Sequence, residues 1–232
     1  MKKWLVILLC MALFAGCRGQ GVRSFWDTHS IDYSDIDAAE EQFATFAEKA
    51  VASNEEDALA AIDALFDLLK EDEVAYYIYL DWINGAFYSL LSPCRSAVLY
   101  GKAVDRMVRD GILSPEDCEP FVRRREWIQY NRAGEPAKVP GLETFDARTL
   151  VLVLDLACPS CREALEKLAA APEWAMVRKV AVACGPGPEP SIQGWEYLFP
   201  GNATAVFDPR MTPVYFVVGE NGLVETSYTL AL

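Results

Sequence analysis

The sequence TLVLVLDLACPSC, residues 149–161, decides the fold of the C-terminal part of the chain. Its first eight residues, Thr149–Leu156, are nearly all β-branched or leucine, which is typical of a strand buried on both faces. After the second cysteine, small and apolar side chains recur at helical spacing, at Ala164, Leu165, Leu168 and Ala169. The stretch therefore predicts a buried central strand that leads directly into a helix, with two cysteines at the junction.

The motif Cys158-Pro159-Ser160-Cys161 is suited to thiol–disulfide exchange, because two thiols at this spacing can close a disulfide without rearranging the chain. At a helix N-terminus, free N–H groups and the helix dipole stabilise a thiolate, which is the nucleophile in this chemistry. Cys158 is therefore expected to attack a substrate disulfide, and Cys161, one turn inside the helix, to resolve the mixed disulfide. Pro159 fits the first helical turn, where its missing N–H is not needed. Pro159 and Ser160 are also expected to contact substrate.

Two other interpretations of this motif stay open. The pair could be half of a zinc site completed by Cys94 and Cys118, but those two cysteines lie far apart on different predicted helices. The pair could also be a purely structural disulfide, which persists in oxidising compartments outside the cytosol. The order of strand, CxxC motif and helix favours the redox interpretation over both, and no bound metal is expected.

The elements around the motif predict an α/β domain, which we place at residues 134–232. The last two strands are expected to pair as a hairpin, because Asn221-Gly222 favours a tight turn between them. The other expected elements are strands at Val177–Ala183, Pro213–Val218 and Gly222–Thr226, a short helix at Ser191–Leu198 and a brief strand at Thr204–Phe207.

The preceding residues, 34–133, have the pattern of an all-α helical bundle domain. Ser114 and Pro115 give its last helix a strong start signal, since serine caps helices and proline is tolerated at the first helical position. A linker rich in proline and glycine follows, from Ala133 to Gly141. The expected helices are Ile36–Ala52, Glu55–Lys70, Glu73–Leu91, Arg95–Arg109 and a fifth that continues from Pro115 through Tyr130.

The N-terminus has the pattern of an export leader. Lys2-Lys3 precede the apolar run Trp4–Phe14, and small residues stand before Cys17. This arrangement resembles the lipobox of bacterial lipoproteins, which implies a signal peptide at residues 1–16, lipidation of Cys17 and a membrane anchor. A plain secretory leader and an uncleaved anchor are the alternatives, although the run is short for a membrane span. Residues 17–33 are expected to form a polar tether, and the protein to face the periplasm from the cell envelope.

Two longer resemblances extend these interpretations. Residues 136–232 resemble a thioredoxin-like domain of the TlpA-like group. The sequence SPCRSAVLYGKAVDRMVRDG, residues 92–111, resembles part of the helical N-terminal domain of unknown function in Bacteroidetes lipoproteins. The first resemblance implies a thioredoxin-like fold and thiol–disulfide oxidoreductase activity. It also implies that Pro213 is a cis-proline facing the CxxC motif, and that the backbone of Thr212 pairs with an extended substrate.

The sequence departs from the thioredoxin pattern at several positions. The aromatic residue that usually precedes the first cysteine is Ala157, and the buried acid expected six residues before that cysteine is Leu152. Asp155 is a nearer carboxylate, but strand alternation need not direct it at the thiols. The chain also stops soon after the last expected strand, so we expect the domain to lack the final helix.

Composition and charge narrow the range of partners. The formal net charge is −13 at pH 7, and an acidic surface repels phosphate backbones, so we expect no nucleic acid to bind. His29 is the one histidine of the sequence, which nearly excludes Ser–His and Cys–His catalysis. Cys94 and Cys118 could pair or stay reduced, and Cys184 could be a small buried residue or a third redox thiol.

Together these features predict a membrane-anchored envelope thiol–disulfide oxidoreductase that needs no cofactor. Its expected partners are disulfide-containing envelope proteins and a membrane electron donor. The rival hypothesis is a thioredoxin-like binding or scaffold lipoprotein with little or no redox activity. The replacement of the buried acid by Leu152 favours this rival, whereas the intact CxxC motif favours the enzyme.

Overall fold

A computed structural model describes residues 21–231 except 189 and 191. The chain divides into two compact units, with the boundary between Ser114 and Pro115. The described part of the N-terminal unit is helical, and the C-terminal unit contains a five-stranded sheet. This order confirms the predicted succession of an all-α part and an α/β part. No helix within the described residues is both long and apolar enough to cross a lipid bilayer.

The N-terminal unit is built from helices whose first turns are capped by polar side chains. Before each α-helix, one side chain accepts a hydrogen bond from a backbone N–H of the first turn: Asp35, Asn54, Asp72 and Ser96. Gly111 ends the last of them in the left-handed conformation at φ 66°, which glycine adopts without steric cost. The helices are α1 (Ile36–Ala52), α2 (Glu55–Leu69), α3 (Glu73–Ile83) and α4 (Ala97–Asp110).

Helix α3 is shorter than the sequence predicts. The apolar pattern predicts a helix to Leu91, but the α-helical part ends at Ile83. One π-helical turn, Asn84–Tyr88, continues it, and the Ser89 N–H donates to the Asn84 carbonyl at 3.2 Å. This wider turn buries both aromatic residues at its end, which explains why the apolar pattern extends beyond the α-helix.

An aromatic core fills the N-terminal unit and includes residues that the sequence assigned to a tether. Val22–Asp27 forms a short 3₁₀ helix in which Phe25 and Trp26 are only 2% and 5% exposed. Their rings lie 5.5 and 5.0 Å from the ring of Phe46, so hydrophobic burial holds the segment against α1. The predicted polar tether of residues 17–33 therefore does not hold for this part of the chain.

The sheet of the C-terminal unit has the strand order β3-β2-β1-β4-β5. As predicted, β1 is central: it pairs in parallel with β2 and antiparallel with β4, and every residue in it is buried. β3 extends the parallel half of the sheet and β5 extends the antiparallel half. The strands are β1 (Thr149–Leu154), β2 (Arg178–Ala183), β3 (Glu196–Leu198), β4 (Val214–Val218) and β5 (Val224–Leu230).

Helix α5 (Pro115–Gln129) belongs to the C-terminal unit, whereas the sequence placed the domain boundary after residue 133. The chain that follows α5 is bound to the sheet by Asn131. Its Nδ2 donates to the Lys138 carbonyl at 3.1 Å and to the Tyr228 hydroxyl at 2.9 Å. Its Oδ1 accepts from the Lys138 N–H at 2.7 Å. These bonds extend the unit towards the N-terminus beyond the predicted linker.

Helix α6 (Pro159–Ala170) follows β1 and packs on one face of the sheet. Helix and sheet share one apolar cluster, which contains Cys161, Ala164 and Leu165 from the helix and Leu150, Leu152, Leu154 and Ala181 from the strands. Because β1, β2 and β3 are parallel, their carboxyl ends lie at one edge of the sheet. The CxxC motif follows β1 at this edge, which we call the carboxyl edge.

The segment between β2 and β3 differs from the prediction. A short helix expected at 191–198 is wrong, because Glu196–Leu198 is strand β3. Gly194, at φ 88°, lies just before this strand. Pairing with the edge of β2 stabilises the strand, and a single-segment pattern does not contain that information.

The segment before β4 also differs from the prediction. A brief strand expected at 204–207 is wrong, because a 3₁₀ turn at Ala203–Ala205 takes its place. The Ala205 N–H closes this turn on the Asn202 carbonyl at 2.9 Å. The hairpin of β4 and β5 is present as predicted, with Gly222 at φ 75° in its turn.

Candidate functional site

The loop between β1 and α6 sets the position of both thiols of the CxxC motif. β1 ends at Leu154, and the Asp155 carboxylate accepts a hydrogen bond from the Ala157 N–H at 2.9 Å. The Asp155 carbonyl accepts from the Cys158 N–H at 3.1 Å, which closes the loop. Cys158 then stands at the N-cap of α6, and Pro159 takes a first-turn position, as the sequence predicts.

Cys158 is the more accessible thiol of the pair. It is partly exposed, and its Sγ lies 2.9 Å from the hydroxyl oxygen of Ser160. The hydrogen bond with Ser160 is the main cause that lowers the pKa of Cys158, and bonds from the Cys161 and Ser160 backbone act in the same direction. Burial opposes these effects only in part. The helix start therefore favours the thiolate of Cys158, as expected for this position.

Cys161 has the opposite environment. It is 1% exposed, and burial raises the pKa of its thiol to about 11. The Asp155 N–H donates to its Sγ at 3.3 Å, which opposes part of the effect of burial. With this pKa, Cys161 stays protonated at neutral pH. The two cysteines of the motif therefore differ both in access and in charge.

Thr212-Pro213 lies at the same edge of the sheet as the two thiols. The peptide bond between these residues is cis, as the thioredoxin resemblance implied. Strand β4 begins directly after Pro213 and pairs with β1, which places this junction beside the end of β1. A hydrogen bond from the Thr212 hydroxyl lowers the pKa of Cys161. The fold thus brings together two parts of the chain that the sequence linked only by resemblance.

A third thiol lies at the carboxyl edge. Cys184 follows β2, and its N–H donates to the Leu154 carbonyl at 2.9 Å. Burial raises the pKa of Cys184 to about 12, and the carboxylates of Asp155 and Asp208 add to this effect. A thiol with this pKa is almost entirely protonated at neutral pH, so Cys184 is a poor nucleophile there.

A cavity of about 340 Å³ opens beside Cys184. Leu156 and Gly187 form one side of it, and Phe199 and Pro200 form another. Gly187 packs so closely that a Cβ atom added there would lie 2.4 Å from the Cβ of Leu156. The loop after β2 is therefore held tightly against the loop that carries the CxxC motif.

Leu152 occupies the position where the thioredoxin pattern has a buried acid. It is fully buried in the same apolar cluster as Cys161, so no carboxylate stands at this position to accept the Cys161 proton. Asp155 contacts the Cys161 sulfur through its backbone N–H, while its carboxylate caps the loop at Ala157. The departure noted in the sequence is therefore also present in the packing.

The remaining cysteines are buried thiols or lie outside the described residues. Cys94 and Cys118 form no disulfide in the structure and belong to different units. Burial is the main cause that raises the pKa of each. Among the residues that the structure describes, no group of three or more His, Cys, Asp or Glu side chains could hold a metal ion. Cys17, the predicted lipidation site, is not among the described residues.

Sequence reasoning missed two residues at this edge, Asp208 and Arg210. The Asp208 carboxylate is buried and receives hydrogen bonds from the backbone N–H and the guanidinium of Arg210. The signal was present in the sequence, because Asp208-Pro209 combines a capping residue with a proline at the first position of a helical turn. This turn directly precedes Thr212.

Comparison with known proteins supports the fold. No family model matches the chain, and no curated protein matches it. Among solved structures, a thioredoxin-like protein from Bacteroides caccae is similar, with a TM-score of 0.66 and 16% sequence identity. The similarity covers 90% of this chain and 87% of that chain. At this identity the similarity concerns the fold, and the chain has the thioredoxin-like fold that its sequence predicts.

Proposed function

We propose that this thioredoxin-like chain is a thiol–disulfide oxidoreductase that acts through Cys158 and Cys161. The observation that supports it best is the asymmetry of the two thiols. Cys158 is partly exposed at a helix start, and the Ser160 hydroxyl lowers its pKa. Cys161 is buried, and its pKa is raised to about 11. One thiol is therefore ready to attack a disulfide, while the other stays protonated until the first step is complete.

In the first step, the Cys158 thiolate attacks one sulfur of a substrate disulfide. A bond forms between the Cys158 Sγ and that sulfur, and the substrate S–S bond breaks. The other substrate sulfur leaves as a thiolate and takes a proton from water. In this proposal Pro159 and Ser160 contact the substrate, and Pro213 holds the Thr212 backbone where an extended substrate can pair with it.

In the second step, Cys161 loses its proton to solvent and attacks the Cys158 Sγ. The Cys158–Cys161 disulfide forms, the mixed disulfide breaks, and the second substrate sulfur leaves and is protonated. Two electrons have then passed to the substrate. Another round needs a dithiol donor that reduces the pair, and a membrane electron donor fills that role in this proposal. Because Leu152 replaces the buried acid, we expect this step to limit the rate.

The proposed location rests on residues 1–17. The basic start, the apolar run and the small residues before Cys17 support export and lipidation, so that the protein acts on disulfide-containing proteins of the envelope and faces the periplasm. Several acyl chains on one residue anchor a protein stably, whereas one chain gives only marginal binding. Cys17→Ser should shift the protein from the membrane fraction to the soluble fraction and remove incorporated radioactive palmitate.

Trapping of mixed disulfides tests the assignment of roles. Cys161→Ser should accumulate covalent adducts with envelope proteins, because the thiol that resolves them is missing. Cys158→Ser should accumulate none, since the attacking thiol is absent. In the same preparations, the wild-type protein should accelerate the reduction of insulin by dithiothreitol. If neither variant traps an adduct and neither changes insulin reduction, the enzyme proposal fails.

A binding or scaffold protein with little redox activity is the second candidate. The observation that favours it is Leu152, which leaves the buried thiol without an acid at the position where thioredoxins have one. This candidate predicts that partners are captured without a covalent bond. Capture that is equal for the wild-type protein and for a variant with both cysteines of the motif changed to serine would support it over the enzyme.

A further inference from the structure

The turn before Thr212 is built around a buried carboxylate. The Asp208 side chain is 3% exposed, and Arg210 approaches it with two guanidinium nitrogens, Nε at 2.9 Å from one oxygen and Nη2 at 2.8 Å from the other. The Arg210 N–H also donates to Asp208 at 3.0 Å. A planar guanidinium that binds both oxygens fixes the carboxylate in direction as well as in position.

This carboxylate caps the short 3₁₀ turn Pro209–Met211, which leads into Thr212. The Met211 N–H closes the turn on the Asp208 carbonyl at 3.1 Å. The Thr212 hydroxyl is 2.9 Å from the Pro209 carbonyl, to which it donates. The same hydroxyl acts on the Cys161 thiolate. The position of the Thr212 oxygen therefore depends on the turn, and the turn depends on Asp208.

Helix α5 supplies the outer support of this arrangement. The guanidinium of Arg210 lies over the ring of Trp127, 5.6 Å from its centroid. The Trp127 Nε1 donates to the Thr204 carbonyl at 2.9 Å, which holds the indole in place. Arg210 is thus fixed between an aromatic ring on one side and a buried carboxylate on the other. A residue fixed at both ends is suited to holding a loop in one geometry.

We propose that Arg210 is a positioning residue for the second half of disulfide exchange: by locking Asp208, it holds the turn that places the Thr212 hydroxyl on Cys161. The meaning of this role for turnover rests on the proposed function, but the role itself concerns only how readily Cys161 attacks a disulfide at Cys158. Loss of Arg210 should slow that attack and leave the reaction of Cys158 unchanged.

One equivalent of the aromatic disulfide 5,5′-dithiobis(2-nitrobenzoate) separates the two steps. The Cys158 thiolate attacks the reagent, a protein–aryl mixed disulfide forms, and the first coloured aryl thiolate leaves. Cys161 then attacks the Cys158 Sγ, the Cys158–Cys161 disulfide forms, and the second aryl thiolate leaves. Two electrons pass from the dithiol to the reagent. The full chain is used in detergent, and the signal of Cys158→Ser is subtracted as the background of the other thiols.

We expect Arg210→Ala to slow the second release about three- to tenfold, the range given by loss of one hydrogen bond to a thiolate, and to leave the first release unchanged. Arg210→Lys should not restore the rate, because lysine keeps the charge but not the two-pronged contact. Thr212→Val should slow the second release to a similar extent. Adding Arg210→Ala to Thr212→Val should have no further effect, since both substitutions remove the same interaction.

Arg148→Ala is the matched control. Arg148 also binds a carboxylate, that of Glu225 at 2.7 Å, and also lies over a tryptophan ring, that of Trp174 at 5.8 Å. It precedes β1, whereas the thiols follow β1, so it stands at the opposite end of the strand. Its loss should change neither release.

Four results overturn the positioning role: an unchanged second release in Arg210→Ala, slowing of both releases, rescue by lysine, or additive effects with Thr212→Val. None of them depends on a protein substrate. If Arg210→Ala behaves as expected while the wild-type protein traps no envelope protein and reduces no insulin, the positioning role stands and the proposed function fails.

Discussion

The backbone N–H of Asp155 donates to the Sγ of Cys161 at 3.3 Å, while the carboxylate of the same residue holds the Ala157 N–H at 2.9 Å. Asp155 thus connects the end of β1 to the loop and to the buried thiol. Its carboxylate also contributes to the raised pKa of Cys184. Because the loop contact needs an oxygen and the effect on Cys184 needs a charge, substitution can separate the two roles.

Asp155→Asn should lower the pKa of Cys184 from about 12, because a neighbouring negative charge no longer opposes its ionisation. The amide oxygen can still accept from Ala157, so stability should change little. Asp155→Ala should lower the pKa of Cys184 in the same way and also cost about 1 kcal/mol of unfolding free energy through the lost loop bond. NMR titration of the Cys184 Cβ signal and urea unfolding measure the two effects. Equal destabilisation by both substitutions would contradict the capping role.

Ser160→Ala should raise the pKa of Cys158, because the hydrogen bond that lowers it most is removed. At pH 7 the smaller thiolate fraction should slow alkylation of Cys158 by iodoacetamide about two- to tenfold, the range for one hydrogen bond. Ser160→Thr, which keeps the hydroxyl, is the control and should react at nearly the wild-type rate. An alkylation profile against pH that is identical for all three proteins would show that Ser160 does not tune this thiol.

Stability of the reduced protein should fall as the pH rises above 9. The pKa of Cys161 is about 11 in the folded state, against an ordinary thiol value of 9.0. Folding therefore holds the proton more tightly, and this stabilisation is complete below pH 9 and lost as the pH rises to 11. At pH 10 the loss should be about 1 kcal/mol, since one pKa unit corresponds to about 1.4 kcal/mol.

Urea unfolding at pH 8 and pH 10 in excess reductant measures this loss. Cys161→Ala removes the titrating group, so its stability should fall less between the two pH values than that of the wild-type protein. The difference between the two proteins, not the total fall, is the quantity that tests the effect, because Cys184 also titrates in this range. Parallel losses in both proteins would assign the pH dependence elsewhere.

Gly187→Ala should destabilise the C-terminal unit by about 1 to 3 kcal/mol, as overpacking does. The added Cβ would lie 2.4 Å from the Leu156 Cβ, so one of the two loops has to move. Gly201→Ala is the matched control, because Gly201 lines the same cavity and has nothing within 4 Å of an added Cβ. Melting temperatures of the two variants should therefore differ. Two equal values would mean that the loop after β2 yields without cost.

A fragment of residues 115–232 should be more stable than a fragment of residues 134–232. The shorter fragment loses α5 and also Asn131, a residue 1% exposed that makes three hydrogen bonds to Lys138 and Tyr228. Asn131→Ala in the longer fragment should account for about 1 to 3 kcal/mol of the difference, because it leaves buried partners unsatisfied. Circular dichroism during urea unfolding compares the three proteins. Equal stability of the two fragments would favour the boundary that the sequence indicated.

The sequence was sufficient for the features that depend on local pattern. The run that became β1, the cysteines at the start of α6 and the serine cap before Leu99 all follow from hydrophobic period and capping chemistry. The position of Thr212-Pro213 followed from resemblance. The prediction of unequal thiols also needed no tertiary knowledge, because one cysteine precedes the first helical turn and the other lies inside it.

The features that the sequence did not predict depend on partners distant along the chain. β3 is only three residues long and is stabilised by the edge of β2, so its pattern alone resembled a helix. Phe25 and Trp26 are isolated aromatic residues in a polar segment, and only the packing against Phe46 explains them. Arg210 looked like an ordinary surface arginine, because its contacts with Asp208 and Trp127 form only in the folded turn.

The burial of Val22, Phe25 and Trp26 limits how far the protein can reach. If Cys17 carries the lipid, four residues separate it from the folded unit at Val22, and a fully extended chain of this length spans at most about 18 Å. That distance is about two Debye lengths at physiological salt. A body with a formal charge of −13 would then be kept close to a surface of anionic headgroups that repels it. The protein would work as a tightly moored acidic particle, and its redox partners would have to come to the membrane surface to meet it.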